Sequence, residues 1–169
     1  MLMTVFNDIR VFGMGGTIDK TVYSYDARDY VVDAPYVGRI IEEANVTVQI
    51  DIESLVRKDS LELTDQDREL LRAKVSQEPC NRIIVTHGTD TIPESAKALS
   101  GIVGKTIVFT GAMLPGRFVD SDATFNLGGA VIAAQTLPPG LYLVMHGRVF
   151  DALKAVKDRG KSLFLEEPG

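Results

Sequence analysis

Short apolar runs alternate with amphipathic stretches along the chain. Ile9-Arg10-Val11-Phe12, Val46-Thr47-Val48-Gln49-Ile50, Ile83-Ile84-Val85, Thr106-Ile107-Val108-Phe109 and Leu141-Tyr142-Leu143-Val144-Met145 read as strands. They are short, rich in β-branched residues, and mostly bounded by Gly, Pro or Asn. Helical patterns fall between them, over roughly 34–44, 64–77, 92–100 and 122–136. The second opens on Thr64-Asp65-Gln66-Asp67, an N-cap with acidic residues in its first turn, and stops before Pro79. The stretch from Ile18 to Val32 carries Thr, Val, Tyr and Asp without a helical period, and is read as a hairpin or a mobile loop.

Strand–helix alternation of this kind demands a parallel sheet covered on both faces. The expected fold is α/β: one three-layer domain with a mostly parallel sheet, Rossmann-like or flavodoxin-like. No internal repeat, low-complexity tract or linker divides the 169 residues, so 1–169 is taken as one domain. In open α/β sheets ligands bind beyond the C-terminal ends of the strands. There the chain places Gly13-Met14-Gly15-Gly16-Thr17, Thr86-His87-Gly88-Thr89-Asp90-Thr91 and Gly111-Ala112-Met113-Leu114-Pro115. These three turns are expected to cluster at one edge of the sheet.

Hydrophobic residues make up 45% and charged ones 24%, the balance of a globular domain. A net charge of −5 argues against a protein that binds nucleic acid through its phosphates. The single cysteine, Cys80, allows no intramolecular disulfide and fits a reducing compartment. The N-terminus has no basic region followed by an apolar stretch, so no signal peptide is read. No apolar run approaches the ~18 residues of a membrane span, and the expected location is the cytoplasm.

Gly-rich turns let backbone approach a ligand and aim N–H groups at negative charge. Gly13, Gly15 and Gly16 lack the full dinucleotide spacing, because position 18 is Ile, and no phosphate-loop motif is present. The only histidines are His87 and His146, with one Cys, so no metal site is expected and no cofactor. A hydroxyl nucleophile remains. Thr17, after two glycines, stands at a strand end beside N–H groups able to stabilise an oxyanion. Its base would be a lysine kept neutral by burial and oriented by a carboxylate such as Asp90. Each feature also has a bland reading: a turn for Gly-Gly-Thr, a helix N-cap for the hexapeptide, and a solvated face for Lys157 among Lys154, Arg159 and Lys161. Tyr30 could equally be a half-buried hairpin tyrosine.

Gly15-Gly16-Thr17-Ile18 together with Thr86-His87-Gly88-Thr89-Asp90-Thr91 resembles the two signature motifs of the bacterial-type L-asparaginase/glutaminase family. Asp59-Ser60-Leu61-Glu62-Leu63-Thr64, Gly111-Ala112-Met113-Leu114-Pro115, Phe125-Asn126-Leu127, and Val149-Phe150-Asp151 followed by Lys157 fall in register with it. The similarity covers nearly the whole chain, against the larger N-terminal domain of that family. It implies L-asparagine as substrate and a double displacement: Thr17 attacks the side-chain amide, ammonia leaves, and water releases L-aspartate. By the same resemblance Tyr30 would hydrogen-bond Thr17 and close the site, with Tyr25 as the alternative. Thr89, Lys157 and Asp90 would activate the chemistry, and Asp90 would also hold the substrate amino group. Ser60 would bind the α-carboxylate. The N–H groups of Gly16 and Thr89 would form the oxyanion hole, and the Ala112 carbonyl would receive the amide nitrogen.

The family carries a second, C-terminal domain, and a neighbouring subunit's copy of it completes each site. This chain ends at Glu166-Glu167-Pro168-Gly169, so no C-terminal domain is expected here. Leu61 also stands where the periplasmic branch has a polar substrate-binding residue. The expectation is an active enzyme of low substrate affinity with reduced glutamine activity, and a homodimer that covers the surface left open. The rival readings are a catalytically silent Asn/Asp-binding module, which would not need Lys157, and a related amidotransferase subunit.

Overall fold

A computed structural model describes residues 8–166. Its centre is a six-stranded sheet built from β1 (Ile9–Gly15), β4 (Ile50–Lys58), β5 (Arg82–Thr86), β6 (Thr106–Thr110), β7 (Gly140–Met145) and β8 (Arg148–Asp151). The order is β4-β1-β5-β6-β7-β8, parallel throughout except for the final β7/β8 pair. Counting only the parallel strands, the order is 2-1-3-4-5, the doubly wound arrangement whose crevice opens between the first and third strands. Here those strands are β1 and β5. The expected α/β fold with a mostly parallel sheet is what the chain adopts.

Alternation along the strands divides the core. Phe12, Met14, Ile83, Val85, Ile107 and Phe109 face one side, where α2 (Asp65–Gln77) and α3 (Ile92–Ala98) bury Leu71, Val75, Ile92 and Ala96. Ile9, Val11, Ile84, Val108 and Val144 face the other, against α1 (Val37–Glu43) and α4 (Ala123–Thr136). The Thr64 hydroxyl accepts the Asp67 N–H while the Asp67 carboxylate accepts the Thr64 N–H, a reciprocal cap that starts α2 at the expected place.

Two expectations need correction. The strand expected at Val46–Ile50 instead runs from Ile50 to Lys58. Its Asp51 and Glu53 share a face and both pair with Arg10 on the neighbouring strand, while Lys74 adds a second cation to Glu53 at 2.6 Å. Charges that read as loop are satisfied across the ladder of an edge strand. The apolar pattern predicts no element after β7, yet the chain there forms β8 and then a hairpin of β9 (Ala155–Asp158) and β10 (Leu163–Glu166). The open choice at 18–32 resolves to a hairpin, β2 (Lys20–Ser24) paired with β3 (Asp29–Val32).

Candidate active site

The turns after β1 and β5 meet at the crevice of the sheet. Gly15 and Gly16 hold φ of 80° and 89°, a region that side chains rarely tolerate. A methyl group placed on Gly16 would stand 2.2 Å from the Gly88 Cα, and one on Gly88 would stand 2.5 Å from the Ser60 Cβ. A methyl on Gly111 would stand 2.4 Å from the His87 carbonyl oxygen. Glycine at these positions lets three turns and the Ser60 segment press backbone against backbone. Thr17 and Thr89 each follow one member of the Gly16–Gly88 contact, so the two hydroxyl-bearing residues flank one spot.

Lys157 arrives from the far end of the chain. On β9, period-2 alternation puts Ala155 and Lys157 on one face. Lys157 lies opposite Phe164, which is 2% exposed and packs against Phe150 and His146. Phe164 thus anchors the hairpin in the core and turns its neighbour inward, leaving the Lys157 side chain only 15% exposed. The Lys157 Nζ donates to Thr89 Oγ1 at 2.7 Å and to Asp90 Oδ1 at 2.8 Å. Arg159 Nε approaches the same Oδ1 at 3.5 Å. Lysine, threonine and aspartate therefore form one hydrogen-bonded group rather than a solvated charged face.

The remaining residues singled out in the sequence are placed as follows. Ser60 is buried in a short 3₁₀ turn whose Asp59 and Glu62 make a capping box, and its carbonyl accepts the Thr91 hydroxyl at 2.9 Å. Ala112 is buried in the third turn. The Gly16 N–H, expected to face substrate, donates to the Lys58 carbonyl at 3.0 Å. Tyr30 lies on β3 with its ring edge-on to Tyr23 and Phe118 and beneath the Arg117 guanidinium. Tyr25 packs edge-on to Tyr23. Among the described residues neither tyrosine hydrogen-bonds Thr17.

Several organising residues carry no sequence signal strong enough to single them out. His87 is fully buried. Its Nδ1–H donates to the Gly88 carbonyl, and its Nε2 accepts the Ser95 hydroxyl, each at 2.7 Å. Burial pulls its pKa down to about 4, so it serves as a neutral brace of the second turn. The Asp122 carboxylate accepts the Met113 and Leu114 N–H groups, and Asn126 joins Gly111, Asp122 and His146. The third turn is thereby tied to the start of α4. Asp19, two residues after Thr17, is 1% exposed and accepts the Tyr36 N–H at 2.9 Å, and burial pushes its carboxyl up to about 7. Its backbone carbonyl takes the Asp33 N–H, closing the base of the β2–β3 hairpin. No group of three or more potential metal ligands lies together among the described residues. No helix among them is long and apolar enough to cross a membrane.

Comparison with known proteins matches residues 8–163 to the family model for the asparaginase N-terminal domain. A probable L-asparaginase of Schizosaccharomyces pombe is 30% identical over 92% of this chain and 48% of its own length. A glutamyl-tRNA(Gln) amidotransferase subunit of Aeropyrum pernix is 31% identical over 90% of this chain and 38% of its own. Among solved structures, the thermostable L-asparaginase from Thermococcus kodakarensis superposes with a TM-score of 0.78 at 25% identity, covering 94% of this chain and 50% of that one. The chain thus spans half or less of the length of these relatives.

Proposed function

We propose, from the premise that this chain belongs to the asparaginase family through its N-terminal domain, that it hydrolyses the side-chain amide of L-asparagine to L-aspartate and ammonia. The carrying observation is the Lys157 amine held at 2.7 Å from Thr89 Oγ1 and 2.8 Å from Asp90 Oδ1. In this reading the Thr17 hydroxyl attacks the amide carbon. Its proton passes by way of Thr89 to Lys157 and on to the leaving nitrogen as ammonia departs. Water then attacks the Thr17 ester, giving L-aspartate and restoring the hydroxyl. Ser60 takes the substrate α-carboxylate, and the Ala112 carbonyl receives the amide nitrogen. Asp90 takes the α-ammonium on Oδ2, since the Lys157 amine and the Arg159 guanidinium engage Oδ1. With the Gly16 N–H engaged elsewhere, the N–H groups of Thr17 and Thr89 are the oxyanion donors. Tyr30 reaches Thr17 only when the β2–β3 hairpin closes over bound substrate. The lone cysteine accords with a cytoplasmic setting.

The test is ammonia and aspartate release from asparagine. Wild type should release both, and Thr17→Ala and Lys157→Met should not, while Thr17→Ala still binds aspartate. Release by Thr17→Ala at the wild-type rate would overturn the proposal; so would binding without turnover by wild type, the behaviour of a sensor.

The likeness to an amidotransferase subunit supports a second reading, in which the same amide cleavage delivers ammonia to a partner. Robust hydrolysis of free asparagine by the isolated chain excludes it, whereas ammonia release only with a co-purifying subunit favours it.

A further inference from the structure

Thr89 carries one hydroxyl proton, and its contacts fix where that proton points. The Lys157 Nζ donates to Thr89 Oγ1 at 2.7 Å, so the oxygen is already an acceptor on the lysine side. Its own proton goes the other way, to the Met113 Sδ at 3.9 Å. Met113 is held in place from two directions. Its N–H donates to both Asp122 carboxylate oxygens, at 2.9 and 3.1 Å, and its side chain packs partly buried against the core cluster of Val85 and Phe109. The third turn also lies against the Thr89 methyl, since a methyl on Gly111 would stand 3.5 Å from the Thr89 Cγ2.

A thioether is a weak acceptor. In the amidohydrolase reading, Thr89 must release its proton toward Lys157 as Oγ1 takes the one from Thr17. A proton resting on sulfur keeps the oxygen lone pairs turned toward the amine and the crevice. It is also loosely held, so turning it toward Lys157 costs little. A strong acceptor at the same place would hold it there.

Oxidation supplies such an acceptor. Among the described residues the other methionines, Met14 and Met145, are fully buried, whereas Met113 is partly open to solvent. Its sulfur lone pair can attack one oxygen of hydrogen peroxide. The O–O bond breaks and an S–O bond forms, giving S–OH⁺ and hydroxide. Transfer of that proton leaves the sulfoxide and water, with sulfur oxidised by two electrons and the peroxide reduced. The new oxygen is a strong acceptor within reach of the Thr89 hydroxyl.

We propose that Met113 is a positioning residue for the Thr89 hydroxyl and a modification site, where oxidation by hydrogen peroxide arrests the proton relay and leaves the substrate pocket intact. This inference rests on the amidohydrolase reading.

The full chain is treated with hydrogen peroxide and assayed for ammonia release from asparagine, for aspartate binding, and by peptide mass mapping. One added oxygen should appear on Met113 before Met14 or Met145. In step with it kcat should fall by about tenfold or more, the effect of one firmly held proton, while KM, aspartate affinity and circular dichroism stay as they were. A methionine sulfoxide reductase should restore kcat. Met113→Leu keeps the volume but has no acceptor; it should lose about two- to fivefold in kcat and then show no further loss with peroxide. Cys80→Ser should be inactivated like the parent, which separates sulfoxide formation from thiol chemistry. Peroxide that oxidises Met113 without lowering kcat would overturn the proposal. So would a Met113→Leu protein inactivated as fast as the parent, a Cys80→Ser protein that resists, or an oxidised protein that loses aspartate binding or its fold together with kcat. Each of these leaves the amidohydrolase reading standing, whereas an untreated parent that releases no ammonia overturns both.

Discussion

Replacing Asp19 by asparagine isolates the cost of a buried charge beside the proposed nucleophile. The Asp19 carboxyl is 1% exposed and rises from 3.8 to about 7, because burial outweighs the Tyr36 N–H and the distant Arg57 charge. At ~1.4 kcal/mol per pH unit, that rise corresponds to ~4 kcal/mol between the two protonation states. The sign follows from the raised value. Below pH 3.8 the proton is held in both folded and unfolded chains. Between 3.8 and 7 the unfolded chain releases it first, so stability falls with rising pH, and the loss is complete above the folded value. The Asp19→Asn side chain has no proton to lose, and its carbonyl can still accept the Tyr36 N–H. Its amide nitrogen adds a pH-independent cost of ~1–3 kcal/mol where it finds no acceptor. The variant-minus-wild-type difference in unfolding free energy should therefore climb by ~4 kcal/mol from about pH 4 to pH 8, whatever its starting value. Urea denaturation at each pH measures it. His87 works in the opposite sense: its folded value, lowered from 6.5 to about 4, removes stability as pH falls through that interval. That contribution is common to both proteins and cancels in the difference. It also means that wild type should show a flatter pH profile than the variant. A difference constant to within ~1 kcal/mol, or one that shrinks with rising pH, would refute the burial argument.

Three other outcomes are expected. Asp90→Asn removes the carboxylate that holds the Lys157 amine at 2.8 Å, and should lower kcat by roughly 10²–10⁴-fold in an ammonia-release assay. Phe164→Ala opens a cavity beneath the β9–β10 hairpin and should cost ~3–5 kcal/mol in urea, with kcat falling because Lys157 loses its anchor. Gly88→Ala places a methyl 2.5 Å from the Ser60 Cβ, and should raise KM for asparagine while displacing Ser60, read by steady-state kinetics.

How much of this is legible in the sequence depends on where each residue finds its partners. β1, β5, β6 and β7 are buried on both faces, so they appear as short apolar runs, and the glycine-rich turns after them are readable from the residues alone. β4 is hidden because Asp51 and Glu53 are neutralised by Arg10, 41 and 43 residues away in sequence, and no local window contains that pairing. Asp19 and His87 are equally silent. A single polar letter among turn residues does not reveal that it is buried, nor that its bonds go to Tyr36 or Ser95. The Gly16 N–H escapes for the same reason, since its acceptor is the carbonyl of Lys58 on β4, the strand whose charges conceal it.

Lys157 combines both cases. Its neighbours Lys154, Arg159 and Lys161 describe a solvated segment, and for three of the four lysine and arginine side chains that description holds. What separates the fourth is pairing with Phe164 seven residues later. The proposed site is therefore assembled from parts of unequal stability. The Thr17 and Thr89 turns belong to strands at the centre of the sheet and are locked together by glycine contacts. The lysine comes from a two-stranded hairpin outside that sheet, and two-stranded ribbons have little stability of their own. Local opening of the hairpin should thus remove the amine while the turns stay folded. The proposed catalysis should then depend on a peripheral aromatic anchor more steeply than global stability does. A chain that keeps both signature turns but loses Phe164 should fold, retain the crevice, and have no group placed to take the proton.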